Sequence, residues 1–298
     1  MHGWIWLDKP AGITSTQALG KVRRIVHPQK IGHGGTLDPL ATGVLPLALG
    51  EATKTIPYVM DHRKRYRFTV RWGQARNTDD AEGEVTARSD VRPTQAEIMA
   101  VLPRFMGEIA QVPPAFSAVK VDGRRAYAAA RAGEEVQLKS RTVTIHAMRL
   151  EAVPSSDEAV FSVACSKGTY VRSLARDMGE ILGCYGHITA LRRTAVGKIG
   201  EQCIISLDKL EELVHSAPAE RWLHPCDAVL DDILAWHADE DALSMLRHGQ
   251  CVPCPVSVQR QVHASERGAV VRVYGGDIFA ALAKEDAGIL RPTRIFNL

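Results

Sequence analysis

A chain of 298 residues exceeds one average domain, and 45% hydrophobic with 24% charged residues is enough to bury a core, so one large domain with a small appendage is expected. No apolar run approaches the roughly 20 residues that span a bilayer, and the N-terminus "MHGWIWLDKPAG" has no basic region leading into a long apolar stretch, which points away from membranes and export and toward the cytoplasm. The net charge of +3 divides into +6 over the first 224 residues and −3 from Pro225 onward, a basic body that suits a polyanionic partner.

Taken in chain order, Gly32, Gly34, Gly35 and Gly43 with Pro39 and Pro46 exclude a regular helix over 32–46 and leave a shaped loop that leads into the apolar strand "VLPLAL". Alternation in "RYRFTVRWG" (65–73) predicts a half-buried strand, and "NTDDAEGEVTA" after it a turn and a return strand, hence a hairpin. Thr94 and Glu97 have capping-box spacing behind Pro93, so a helix starts there and ends near Pro103. "VPPAFSAVKVDGRRAYAAARAGEEV" reads as a Pro-Pro break, a short strand, an Asp-Gly turn and an alanine-rich helix closed by Gly133. "RTVTIHAMRLEAV" and "AVFSVACS" are β-branched-rich and read as paired strands.

"TYVRSLARDMGEILG" is helical, with Val171, Leu174, Met178 and Ile181 or Leu182 on one face and Gly183 as its stop. A boundary in "PAERWLHPC" (218–226) sets off a tail with strand-like "CVPCPVSV", "AVVRVYGG" and "IFAALAK". Helices interspersed with hairpin-like strands, without regular βαβ alternation, indicate an α+β fold around a mixed or antiparallel sheet. Six cysteines, at 165, 184, 203, 226, 251 and 254, form no disulfide framework and are expected as free thiols. The pair in "CVPC", with Cys226 and His224 upstream, lacks the second pair a structural zinc usually brings, so no metal is expected.

Asp38 is the one acid in "GHGGTLDPLATGVLPLALG", the stretch from Gly32 to Gly50. An aspartate before proline is commonly an Asx turn that bonds its own backbone. A catalytic carboxylate must instead stay ionised as substrate excludes water, and that needs a cationic or hydrogen-bonding partner. Arg172, two residues after Tyr170 at the start of a helix past a Gly turn, can aim a guanidinium across a cleft.

"DKPAGITS", "GHGGTLDPLATGVLPLALGEATK", "KRYRFTVRWG", "PPAFSAVKVDGRRAYAAARAG" and "CSKGTYVRSLARDMGEILG", followed by "HITALRRTAVG", occur in this order over residues 3 to about 200 and resemble the TruB-type bacterial tRNA pseudouridine synthases. The resemblance implies a pseudouridine synthase catalytic domain over 1–222, its mixed, mainly antiparallel sheet flanked by helices and carrying an RNA-clamp insertion at about 113–150. It implies a small β-rich PUA-like RNA-binding domain over 223–298. The implied activity is isomerisation of uridine 55 in the tRNA T loop to pseudouridine, in the cytoplasm. The T arm of tRNA is the partner, no protein partner is required, the protein is a monomer, and no metal or organic cofactor is needed because isomerisation consumes neither electrons nor phosphate. A tRNA-folding role can accompany the chemistry.

Residue by residue, the resemblance makes Asp38 the catalytic carboxylate, either adding covalently to the sugar or removing a sugar proton to give a glycal-like intermediate. Arg172 is its ion-pair partner, and Tyr66 lies against the base, suited to the late proton removal from carbon. Tyr170 and Leu191 line the base pocket, and His33 fills the space the flipped nucleotide leaves. Lys9 contacts a phosphate or the loop. Arg63 and Lys64, with Arg65 and Arg67, supply cations for the RNA backbone, as do Lys120, Arg124, Arg125, Arg131, Lys139, Arg141, Arg192 and Arg193. One carboxylate suffices where glycosidases use two, because the uracil never departs and no water attacks. Two rivals are an RNA-binding module without catalysis and a guide-dependent synthase. The intact Asp38, Arg172 and Tyr66 set favours an enzyme, and the lack of a lysine-rich extension or of extra residues before "WLDKP" favours the stand-alone form.

Overall fold

The structure is a computed structural model that describes residues 1–117, 120–121, 124–125, 138–263 and 269–298. Among these, a nine-stranded sheet forms the body. Its path runs through Gly3–Lys9, Thr42–Leu49, Gly186–Val196, Lys64–Trp72, Glu158–Cys165, Arg141–Ser155 and Gly107–Gln111, with Ile31–His33 and Ile199–Gly200 attached beside it. Thr42–Leu49 and Gly186–Val196 run parallel, and the other neighbours are antiparallel. The fold is therefore α+β around a mixed, mainly antiparallel sheet.

Lys64–Trp72 occupies the middle, and its alternation turns Phe68, Val70 and Trp72 into the core while Arg65, Arg67 and Arg71 face outward. Phe68 stacks on Phe161 of the neighbouring strand at 5.3 Å. The expected hairpin forms differently: the return strand Val85–Arg88 pairs with Gln74–Arg76, and both edges of Lys64–Trp72 are taken by strands from about 90 to 130 positions further on. Gly73, at φ +89°, turns the chain out of the sheet and separates the two pieces.

Helices cover the sheet. Ser15–Val26 starts on a capping box of Thr14 and Gln17 and buries Ala18, Val22 and Val26. Gln95–Val101 begins on the expected Thr94–Glu97 box. Val171–Ile181 buries Val171, Leu174 and Met178. Leu182 continues that face, whereas Ile181 is 40% exposed, and Gly183 at φ +68° ends it. In the insertion, Lys120–Val121 pairs antiparallel with Arg124–Arg125, and the Asp-Gly turn expected between them lies outside the described residues. The alanine-rich helix closed by Gly133 and the cation Arg131 lie outside the described residues.

Beyond residue 222 a five-stranded sheet follows, in the order Leu234–His237, Val270–Gly275, Ile278–Asp286, Ile289–Ile295, Val252–Pro253. Only Val252–Pro253 of "CVPCPVSV" is extended; Val256–His263 is a helix, its first turn closed by Gln259 donating to the Pro255 carbonyl at 2.9 Å. The acidic cluster at Asp239, Glu240 and Asp241 caps and opens a further helix, Glu240–Arg247, where carboxylates complement the exposed N–H groups. This tail shares a core with the body. Trp4, Trp6, Val44 and Ala48 pack with Val229, Leu230, Ile233, Phe279, Leu282 and Phe296. Trp6 stacks on His224 at 4.9 Å, and Trp4 Nε1 donates to the Cys226 carbonyl at 3.2 Å. No helix among the described residues is long and apolar enough to cross a membrane.

Candidate active site

The loop between Ile31–His33 and Thr42–Leu49 is held by buried polar side chains. Ser15 Oγ accepts from Leu37 N at 2.8 Å and donates to Leu37 O at 3.0 Å. Lys9 Nζ, fully buried, donates to the carbonyls of Pro10 (2.7 Å), Ile13 (2.6 Å) and Pro39 (3.3 Å). Burial lowers its pKa to about 8. Lys9 is therefore a clamp on the loop, with no free ammonium for a phosphate.

Arg193, 1% exposed, donates Nε to Val44 O at 2.7 Å, Nη1 to Thr36 O at 3.4 Å and Nη2 to Gly35 O at 3.0 Å. Its strand places it in register with Gly43 on one side and Tyr66 on the other. Gly43 has φ +97°, and a Cβ there would lie 2.3 Å from the Arg193 carbonyl oxygen, so only glycine lets the strands approach.

On this loop Asp38 makes no Asx turn with the described residues; its Oδ2 lies 2.9 Å from Arg172 Nε. The Nε–H is not directed at that oxygen, so the contact is chiefly one of charge. Arg172, its side chain 6% exposed, is aimed by the first turn of its helix: Nη1 donates to Thr78 O at 2.8 Å and Nη2 to Phe116 O at 3.0 Å. A second carboxylate, buried Asp80, stands 3.6 Å from Nη1. Asp80 in turn accepts from Thr78 Oγ1 at 2.6 Å and from Glu82 N at 3.1 Å. One guanidinium thus lies between two carboxylates, and Asp38, 35% exposed against 4% for Asp80, is the one a ligand can reach.

Asp38 is also less isolated than its sequence surroundings imply. Glu82 has a raised pKa, chiefly from burial and then from Asp80 and Asp38. "NTDDAEGEV" reads as a simple turn in sequence, and its one signal was the paired aspartates. Asp79, at φ +59°, pairs with Arg176 at 2.9 Å, yet burial outweighs the pairing and raises its pKa to about 6.

Tyr66 rises from the middle strand, partly buried against the core. Burial raises its pKa, and the nearby Arg193 guanidinium opposes that while Asp38 adds to it. Tyr170 precedes the Arg172 helix; its N–H donates to Gln111 Oε1 at 2.8 Å, its carbonyl accepts from Gln111 Nε2 at 3.1 Å, and Arg141 covers its ring at 5.5 Å. Buried Gln111 gave no signal in the sequence. Leu191 is 8% exposed, cross-strand from Phe68 and part of the core. His33 is half-buried with Nδ1 unpartnered among the described residues, and burial lowers its pKa.

Several expected RNA-facing cations point elsewhere. Lys64 is 7% exposed and donates to the carbonyls of Met60 and His62, the latter at 2.6 Å, with burial lowering its pKa to about 8. Its place in the strand's inward alternation is the reason. Arg193 is the loop clamp described above. Arg192 grips Asp8 with two bonds of 3.0 Å and pairs with Glu201. Arg63, Arg65, Arg67 and Lys139 are exposed.

All six cysteines are free, and no group of metal ligands occurs among the described residues. The family model described as "TruB family pseudouridylate synthase (N terminal domain)" matches residues 23–171, and that of the "tRNA pseudouridylate synthase B C-terminal domain" matches 172–235. Among similar proteins, the tRNA pseudouridine synthase B of Bradyrhizobium diazoefficiens is 51% identical over all of this chain and 86% of its own, and that of Rhodospirillum rubrum is 47% identical over all of this chain and 97% of its own. Among solved structures, one of an H/ACA RNP bound to a substrate RNA containing 2′-deoxyuridine shares the fold at TM-score 0.73 and 22% identity, over 99% of this chain and 85% of that one. A loop aspartate ion-paired to a helix arginine beside a strand tyrosine, on an α+β sheet matched along its length by such relatives, places the chain in the TruB family of pseudouridine synthases.

Proposed function

We propose that the protein isomerises uridine 55 in the T loop of tRNA to pseudouridine, with Asp38 as the catalytic carboxylate, acting as a monomer in the cytoplasm. The observation that carries the reading is the Asp38–Arg172 contact, in which a reachable carboxylate is paired with a guanidinium that is itself buried and fixed by two carbonyls. In the reaction the bond from sugar C1′ to uracil N1 breaks, the uracil turns, a bond from C1′ to C5 forms, and the C5 proton is lost while N1 gains one. Atoms and electrons are conserved. Asp38 serves either route to this end, adding to C1′ or taking a sugar proton.

Tyr66 is suited to receive the C5 proton. Burial keeps it a phenol at neutral pH, so its own proton must first pass on, and Arg193 beside it favours the phenolate this requires. Tyr170 and Leu191 frame the base, and the half-buried His33 fits the gap left when the nucleotide is everted. A tRNA-folding role rests on the same grip. The test is incubation of the protein with an unmodified T-arm stem-loop followed by mapping of modified bases: pseudouridine at the position of uridine 55 supports the reading, and binding without any pseudouridine identifies an RNA-binding module instead.

A further inference from the structure

We propose that the outer face of the Ser15–Val26 helix is a seat for the phosphate backbone of the RNA stem next to the loop that carries the target base. The inference rests on the proposed function for its choice of ligand. A trough of about 380 Å³ runs along this helix, lined by Ile13, Gln17, Gly20, Lys21 and Arg24. It lies apart from the Asp38 carboxylate but is stitched to the same loop, through Ser15 on Leu37 and through the Ile13 carbonyl on Lys9.

Three features point to a phosphodiester chain. The helix contains no acidic residue. Lys21 and Arg24 are exposed and make no ion pair or hydrogen bond with any described residue, and at i,i+3 they share one face. Gln17 uses its carbonyl oxygen to cap Thr14 N, which leaves its amide N–H groups as neutral donors at the trough's near end. From Gln17 to Arg24 the helix rises about 10 Å, the length of roughly three nucleotides along one strand.

The floor of the trough is Gly20. Glycine inside a helix costs about 1 kcal/mol relative to alanine, and a Cβ at Gly20 would meet nothing within 4 Å, so no packing within the chain calls for it. Bare backbone beside two free cations lets a ligand's own backbone come close.

The test compares wild type with Lys21→Ala/Arg24→Ala and with Gly20→Leu, using an unmodified T-arm stem-loop over a salt series. Both variants place good helix formers at solvent-facing positions, so the fold is retained. The double variant should raise KM about tenfold with kcat changed far less, and reduce the slope of log affinity against log salt by about two. Gly20→Leu should raise KM at unchanged charge by filling the trough. Wild-type turnover with KM and salt slope unchanged in both variants overturns the seat; absence of turnover by wild type overturns the proposed function, a separate result.

Discussion

The two carboxylates that flank Arg172 differ in one respect that matters, access. Asp80 is sealed beneath the guanidinium by Thr78 and the Glu82 N–H, so it can act only through Arg172, as a positioning residue. Asp80→Asn should lower kcat by roughly 10- to 100-fold, about 1.4–2.7 kcal/mol of barrier, with RNA affinity nearly unchanged; single-turnover rates and direct binding separate the two. An equal fall in affinity would place Asp80 at the RNA instead.

Neighbouring Asp79 tests the electrostatics of the same turn. Its folded pKa of about 6 exceeds the unfolded value of 3.8, so the protonated form is the one the fold favours. The contribution is full below the unfolded value and is lost as pH rises through about 6. Relative to Asp79→Asn, wild type should therefore lose up to about 3 kcal/mol of stability between pH 4 and pH 7, measured by denaturant unfolding. A constant difference across that range would mean that Arg176 fully offsets burial.

At the scale of elements, much was readable because it depends on local chemistry. The Thr94–Glu97 capping box, the apolar face of Val171–Ile181 and the alternation of Lys64–Trp72 each need only neighbouring residues. Which strand lies beside which is not local. The hairpin reading of 65–88 was incomplete because Gly73 ejects the chain, while the true partners of Lys64–Trp72 come from beyond residue 157.

The same limit explains the cations. In "KRYR" Lys64 and Arg65 carry the same charge, yet strand alternation buries Lys64 and exposes Arg65; in "LRR", Arg192 finds Asp8 and Arg193 finds three carbonyls, neither visible in sequence. Motif resemblance located Asp38, Arg172 and Tyr66, whereas Asp80 and Gln111 required coordinates. Gly43 marks where strand approach sets the site: Gly43→Ala, at φ +97° against the Arg193 carbonyl, should cost more than about 1 kcal/mol in thermal unfolding and reduce turnover by shifting the Asp38 loop. Unchanged melting and turnover would show that the loop is not held by this contact.

For the whole molecule, the first strand and the tail form one packing unit. Trp4 and Trp6 are buried in part by Phe279, Leu282 and Phe296, and His224 pairs with Trp4 through two backbone bonds of 2.8 Å. A tail read as a detachable RNA-binding appendage can be removed at modest cost; removal of this one leaves two tryptophans uncovered. Truncation before Pro225 should give aggregated protein or a melting temperature lower by well over 10 °C, read by calorimetry; a soluble truncated body with full turnover would show that the body's core closes by itself.

The central claim concerns the charge on one carboxylate, held against Arg172 while a uridine is seated over it. Asp38→Asn preserves size and polarity and removes that charge alone. With an unmodified T-arm stem-loop under single-turnover conditions, it should form no detectable pseudouridine while binding the RNA within about tenfold of wild type, roughly 1.4 kcal/mol. Turnover by Asp38→Asn at a rate near that of wild type would contradict the account.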